Sequence, residues 1–269
     1  MAIWHNGNLS ETASVDASGA GLLLGWGVFT TLGIKAGRAL WLDQHLHRLR
    51  RDAARCDVTI PFSDTELHDA VSAVIGVNHI SDGLARLTAT RRDDGRWNTA
   101  PASDVTILAL QSSPVKMRGL KVGFATAPFQ GELSGVKTTS YLPYFWSWQQ
   151  AHKQGFDEVV LLHNDLIVEA ARSSIFWAKA GVLYTSPLSL GALDGIGRAL
   201  AIKWAQEQGI EFRTAEVPLT ALQNCDEAFV ISAATGPRAI ATLSTLDGET
   251  ALPESQPIFE SSRAWWDAQ

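Results

Sequence analysis

Between residues 158 and 185 four short apolar runs follow one another with no helical stretch between them. Each run (158–162, 166–169, 174–178 and 182–185) reads as a strand. Helices are expected elsewhere, over 143–154 and 194–207, and further strands over 120–125 and 227–232. The first half reads as strand, helix, helix, strand, strand. Residues 22–35 are apolar and threonine-rich, with Gly25, Gly27 and Gly33 marking close backbone approaches in a strand. Asp43 is predicted to cap a helix through Cys56 whose apolar face carries Leu46, Leu49 and Ala53. Ser63 and Glu66 have capping-box spacing ahead of Leu67, Val71, Val74 and Ile75. Strands over 83–91 and 105–110 close this half. Strands and helices mixed without regular βαβ alternation define an α+β protein rather than a doubly wound sheet.

The polar stretch 111–118 contains Pro114 and reads as an interdomain segment. The expected organisation is an N-terminal domain over 1–112, a linker over 113–118 and a C-terminal domain over 119–269. A chain of 269 residues can bury a core in each.

Composition removes several function classes. A net charge of -6 without a basic block excludes general nucleic-acid binding. Two distant cysteines, Cys56 and Cys225, exclude a disulfide framework and a cysteine-rich zinc site, and no metal is expected. No apolar run approaches the roughly 20 residues that span a bilayer, so no membrane partner is expected. Residues 1–8 lack the marks of a signal peptide, and the expected location is the cytoplasm. Gly25-Trp26-Gly27 and Gly195-Ile196-Gly197 begin like dinucleotide fingerprints, but Thr30 and Leu200 stand where the third glycine belongs. His45 and His47 are two apart on a helix, point to different faces and do not share a metal.

The residues left for chemistry are few. Lysines number seven against fifteen arginines, and Lys137 sits among small, hydroxyl and aromatic neighbours in GVKTTSYLPYF (135–145). A lysine drawn into an apolar pocket can stay neutral and form a Schiff base with a carbonyl; the plainer reading is a solvated loop lysine. Glu169 ends an apolar strand, where a carboxylate needs a cation or donor, or pairs with Arg172. Gly195-Ile196-Gly197 opens a helix whose free amides suit an anion, unless the glycines only ease a turn. Arg48, in HLHRL, is suited to bidentate phosphate recognition, although three other arginines on the same helix must be surface charge. Each feature alone has an ordinary structural explanation. Together they are the parts of a pyridoxal 5'-phosphate site.

The order and wording of these motifs resemble the class IV, fold type IV pyridoxal-phosphate enzymes. That family includes branched-chain and D-amino acid aminotransferases and 4-amino-4-deoxychorismate lyase. The resemblance runs from GWGVFTT (25–31) and HLHRL (45–49) through GVKTTSYL and GFDEVVLLHNDLIVEAARSSIFW (155–177) to LDGIGR (193–198) and DEAFVISAA (226–234). It implies a two-domain fold with the cofactor in the interdomain cleft, and commonly a homodimer. It implies that Lys137 carries the cofactor and shuttles protons, that Glu169 meets the pyridine nitrogen, and that Arg48 binds phosphate. Ile196 and Gly197 would add backbone amides to that phosphate, as would the turn at Ser232 and Ala233, where Ala233 offers only its backbone. FTT after Gly27-Val28, and the small-residue turn at 232–234, look more like the lyase than the aminotransferases. In that reading Thr30 serves catalysis, and Phe29, Thr31 and Arg91 are candidate substrate contacts. Trp26 departs from the aspartate usual in both groups. The implied activity is release of pyruvate and 4-aminobenzoate, a folate precursor, from a small-molecule amine. The alternatives are an aminotransferase for branched-chain or D-amino acids, and a cofactor-binding protein without turnover.

Overall fold

The computed structural model describes residues 1–93, 102–112, 118–128, 131–245 and 248–269. The chain divides into two compact units, Met1–Pro114 with Val136–Tyr141, and Val115–Gly135 with Leu142–Gln269. The predicted linker, 113–118, falls outside the described residues except for Arg118.

The first unit contains β1 (Ile3–His5), β2 (Asn8–Ser10), α1 (Ala20–Leu23), β3 (Gly27–Lys35), β4 (Arg38–Ala39), α2 (Leu42–Arg55), α3 (Asp64–Val77), β5 (Gly83–Arg91) and β6 (Ser103–Gln111). Its strands form one sheet in the order β2-β1-β6-β5-β3-β4. The long pairings are antiparallel and direct: Thr30 lies opposite Leu87, and Thr31 opposite Arg86. Leu46, Leu49, Leu67, Val71 and Val74 of the two helices bury against Leu32, Leu87 and Ile107 of the sheet. Each such leucine contributes about 2 kcal/mol by leaving water.

Local signals decide where these elements begin. Ser63 and Glu66 form the expected capping box at α3. At α2 the expected cap is corrected. Trp41 holds the N-cap position with a left-handed φ of 52°, Asp43 lies in the first turn, and its carboxylate goes to His68 instead. The strand expected from residue 22 is also corrected: residues 20–23 turn as α1, Gly25 takes φ +65°, and extended structure starts only at Gly27.

The second unit contains β7 (Leu120–Thr126), α4 (Leu142–Lys153), β8 (Glu158–His163), β9 (Leu166–Ala170), β10 (Ser174–Lys179), β11 (Val182–Thr185), α5 (Ile196–Glu207), β12 (Phe212–Thr214), α6 (Thr220–Gln223), β13 (Glu227–Ser232), β14 (Gly236–Thr245), β15 (Gly248–Ala251) and α7 (Pro257–Asp267). Its nine strands run β12-β11-β10-β13-β14-β7-β8-β9, with β15 also on β14. The four runs between 158 and 185 are strands, and the hairpin neighbours β8–β9 and β10–β11 are antiparallel. β7 and β8 are parallel and joined through α4. The α+β expectation therefore holds in both units. Val122, Val160, Ile167, Ile175, Val230 and Ile240 form the core of the second sheet. Among the described residues no helix is long and apolar enough to cross a membrane.

Candidate active site

In the first unit, segment 136–141 lies along the start of β3. Phe29 N–H donates to the Lys137 carbonyl at 3.0 Å, and Thr139 N–H to the Gly27 carbonyl at 2.8 Å. Gly27 is required here: a Cβ would stand 2.6 Å from the Ala89 carbonyl and 3.0 Å from Thr139 Oγ1. The Thr139 hydroxyl closes the crossing on the Gly25 carbonyl at 2.6 Å. This strand-like pairing fixes the backbone of Lys137, whose N–H donates to Asp52 at 3.2 Å.

The amine of Lys137 reaches to 4.6 Å from the centre of the Phe29 ring and 4.7 Å from that of Tyr141. Arg86 stacks on the same Phe29 ring, its guanidinium carbon 3.7 Å from the centre. Phe29 and Tyr141 meet edge to face at 5.3 Å. A lysine amine and an arginine fork thus share one buried aromatic ring. Each gains cation–π attraction, which strengthens as water is excluded. Burial lowers the Arg86 pKa, and the Tyr141 phenol opposes that shift.

Alternation along β3 separates three consecutive residues. Phe29 and Thr31 share one face, with Thr31 paired to Arg86, and Thr30 points to the other. There Arg48 Nη2 donates to Thr30 Oγ1 at 2.8 Å, and Thr30 Oγ1 lies 2.6 Å from His45 Nδ1. His45 and Arg48 are three residues apart on α2, so both reach the same side, while His47 is exposed. His45 is fully buried. Burial above all, then the charges of Arg48 and Lys137, press its pKa down to about 3. A neutral imidazole here spares the site a third crowded cation.

The second unit contains a buried carboxylate and a helix start with open amides. Glu169 on β9 is buried, and its carboxylate accepts the Leu193 N–H at 3.2 Å. Burial, reinforced by the Glu169 charge, pushes the Tyr144 phenol well above its ordinary range. Arg172 does not take Glu169 as its ion-pair partner. It lies 3.5 Å from Glu158 and stacks on Trp148. Two residues beyond Leu193, Gly195 caps α5 in extended conformation without a side-chain hydrogen bond. At Gly197 a Cβ would meet Ser232 C at 3.0 Å and Ala233 N at 3.1 Å. The first turn of α5 is therefore pressed directly onto the backbone of the turn after β13. The Ser232 hydroxyl is held within that turn by Thr235, at 2.9 Å.

A family model described as amino-transferase class IV matches residues 27–243. The chain belongs to the class IV amino-transferase family. It is 27% identical to a D-alanine aminotransferase of Bacillus licheniformis, over 93% of this chain and 90% of that one. It is also 27% identical to an aminodeoxychorismate lyase of Bacillus subtilis, over 85% of this chain and 82% of the relative. Among solved structures it resembles a branched-chain aminotransferase from Thermoproteus uzoniensis crystallised with norvaline. The TM-score is 0.91 at 25% identity, covering 99% of this chain and 93% of that one.

Within each unit of this class IV chain the expected site residues group with near neighbours. Thr30 and Arg48 are bonded to each other; Lys137 and Phe29 are in contact; Ile196 and Gly197 start the helix that packs on Ser232 and Ala233; Glu169 adjoins the loop leading to that helix. Thr30, expected to serve catalysis, is fully buried and hydrogen-bonded to Arg48 and His45. Arg91 is tied off by Asp93 at 2.7 Å and Asp57 at 3.1 Å, with its guanidinium over Trp26. Trp26 thus braces an internal ion pair, and its ring N–H donates to the Cys56 carbonyl at 2.6 Å. His45 and Arg86 went unrecognised in the sequence. The signal for Arg86 is a long cation in the middle of GLARLTATR, flanked on both sides by apolar and small residues until Arg91 ends the strand.

Proposed function

We propose that the chain is a pyridoxal-phosphate enzyme that converts 4-amino-4-deoxychorismate to 4-aminobenzoate and pyruvate. The observation that carries the reading is the shared ring: Lys137 and Arg86 stand on Phe29, 4.6 and 3.7 Å from its centre. An amine for Schiff-base chemistry thus stands beside the guanidinium best suited to a carboxylate. The substrate has both groups to offer, an amine and carboxylates.

The residues fit the cofactor. Lys137 would hold its carbonyl carbon. The amides of Ile196, Gly197 and Ala233, with Arg48, would hold its phosphate, since the glycine leaves the backbone open to close approach. Glu169, a buried carboxylate, would keep a proton on the cofactor's ring nitrogen. Bound, the cofactor supplies an electron sink for the carbanion left when a proton is lost beside the substrate amine.

The chain's own residues do the rest. Arg86 orients a substrate carboxylate, and Phe29 and Tyr141 keep water from the Lys137 amine. Nζ of Lys137 takes the proton from the ring carbon that bears the substrate amine. The neighbouring enolpyruvyl ether then leaves and is protonated to pyruvate, and the remaining ring is aromatic. A homodimer working in the cytoplasm is part of this reading, and sedimentation velocity tests the first of these.

A second reading, transamination, is favoured by the D-alanine aminotransferase relative, which is similar along 93% of this chain. One incubation separates the two. Cofactor-loaded protein is given enzymatically generated aminodeoxychorismate without a keto-acid acceptor, and both products are measured. Equal amounts of 4-aminobenzoate and pyruvate support the lyase. No product, from a protein that borohydride still bleaches, moves the assignment to transamination.

A further inference from the structure

The second unit contains a cleft of about 390 Å³ between β14 and α7, and nothing in the proposed reaction uses it. That volume is in the range of small-molecule sites. Arg118, Arg238, Phe259, Glu260, Arg263 and Asp267 are among the residues lining it.

The three arginines are not equivalent. Arg263 is saturated: Nε and Nη2 bind Asp267 at 2.8 and 2.5 Å, and Nη1 donates to the Thr235 carbonyl at 3.1 Å. Arg118 grips both oxygens of Asp157. The Arg238 side chain has no hydrogen bond or ion pair among the described residues, and its Nε is buried without an acceptor. The acids whose charge it feels are Asp157 and Glu158. Asp157 is held by Arg118, and Glu158 is the ion-pair partner of Arg172. Burial accordingly lowers the Arg238 pKa. A partly buried guanidinium with no acceptor costs free energy that an anion would recover.

The walls are set in advance. The buried carboxylate of Glu227 accepts the N–H groups of Ile258 and Phe259 at 3.2 and 2.9 Å, which fixes the start of α7. Gln256, the residue before α7, donates its side-chain amide to the Ile240 carbonyl of β14 at 2.8 Å. The Phe259 ring is held against Phe229, 6.0 Å between centres. Such a cleft needs no ordering of its walls before it binds, which lowers the cost of association.

Charge and surface narrow the ligand. With Arg118 spent on Asp157 and Arg263 on Asp267, Arg238 is a single open cation, and Glu260 stands on the same wall, so a monoanion fits better than a phosphate dianion. Phe259 and the methyl groups of Ala239 and Ala264 offer apolar surface beside the fork. We propose that this cleft is a second ligand site, which takes a small organic carboxylate with an aromatic or aliphatic body, gripped by Arg238. The proposal stands independently of the reaction assigned to the active site.

The test titrates full-length, cofactor-loaded protein with benzoate and, separately, with inorganic phosphate, by calorimetry. It is run in an Arg86→Met background, so that a carboxylate partner in the first unit does not contribute. One saturable benzoate site per chain is expected, with phosphate weaker. Adding Arg238→Met should weaken benzoate at least tenfold, and adding Arg238→Lys, which keeps the charge without the fork, should fall between. Melting curves establish that each variant is folded; if the methionine variant is not, the lysine variant carries the comparison. Absence of saturable benzoate binding, equal binding with and without the Arg238 change, or phosphate binding as tight as benzoate would each overturn the proposal.

Discussion

The Thr30 hydroxyl oxygen lies 2.6 Å from Nδ1 of His45, in a place where neither residue is exposed to solvent. Arg48 already donates to that oxygen at 2.8 Å. The one hydroxyl hydrogen is therefore free to point at Nδ1, which leaves the imidazole proton on Nε2. The chain of bonds runs one way, from arginine to threonine to histidine, and it holds the guanidinium still. Thr30→Val breaks it at the centre and strands a buried charged donor, at a cost of about 1–3 kcal/mol. The expected result is a lower melting temperature and roughly tenfold weaker cofactor binding to the apoprotein. Thr30→Ser should restore both, and a valine variant with unchanged cofactor affinity would refute the role.

The same histidine gives the fold an acid limit. Its pKa is about 3 in the folded chain against an ordinary 6.5 for a histidine in water. Between these values the unfolded chain binds a proton that the folded chain refuses. Stability is complete above pH 6.5 and falls by about 1.4 kcal/mol per unit as pH drops toward 3. Urea midpoints recorded from pH 7 to 4 should decline, and His45→Gln should flatten that decline. Parallel curves for the two proteins would count against it.

Lys137→Ala should abolish turnover, together with the yellow, borohydride-reducible adduct. Retained pyruvate release by this variant would remove the lysine from the chemistry and the assignment with it.

Arg86→Met should lower kcat/KM for a carboxylate-bearing amine by about ten- to one-hundred-fold, the loss of one charge-assisted hydrogen-bonded contact. The cofactor spectrum should not move. If an amine without a carboxylate is affected equally, Arg86 is supporting Phe29 rather than meeting substrate.

Gly197→Ala places a methyl group 3.0–3.1 Å from the backbone of Ser232 and Ala233. Backbone on both sides cannot yield cheaply, and about 1–3 kcal/mol of stability should be lost. Affinity for pyridoxal phosphate should fall more than affinity for dephosphorylated pyridoxal. An equal fall for both would deny the amides a phosphate role.

How much of this was legible depended on how local each cause is. Ser63 and Glu66 cap α3 through bonds within one turn, and they were readable. Strands such as β5 and β13 carry their pattern in their own residues. Trp41 took the cap expected of Asp43 because of a left-handed backbone angle and a distant histidine, His68, neither of which leaves a mark near residue 43. No strand or helix is expected after Ala234, although β14 and α7 build the cleft around Arg238. In the candidate site, Lys137, Glu169 and Arg48 were singled out by residue type and motif. Arg86 was not, because an arginine in a strand looks like surface until Phe29 is seen beneath it. His45 bears no local mark of its role, because its partner Thr30 comes from β3, fifteen residues earlier in the chain.

Segment 136–141 belongs to the first unit although β7, which precedes it, belongs to the second. The chain leaves one unit, builds a strand in the other, and returns only to deliver six residues, Lys137 among them. A gene divided near residue 114 would therefore yield an amino-terminal fragment whose β3 lacks the strand-like partner that covers Phe29. The lysine would be left on the other polypeptide. The two units are not interchangeable modules, and recombination between relatives can preserve this site only at crossovers that keep 136–141 together with the β3 it pairs with.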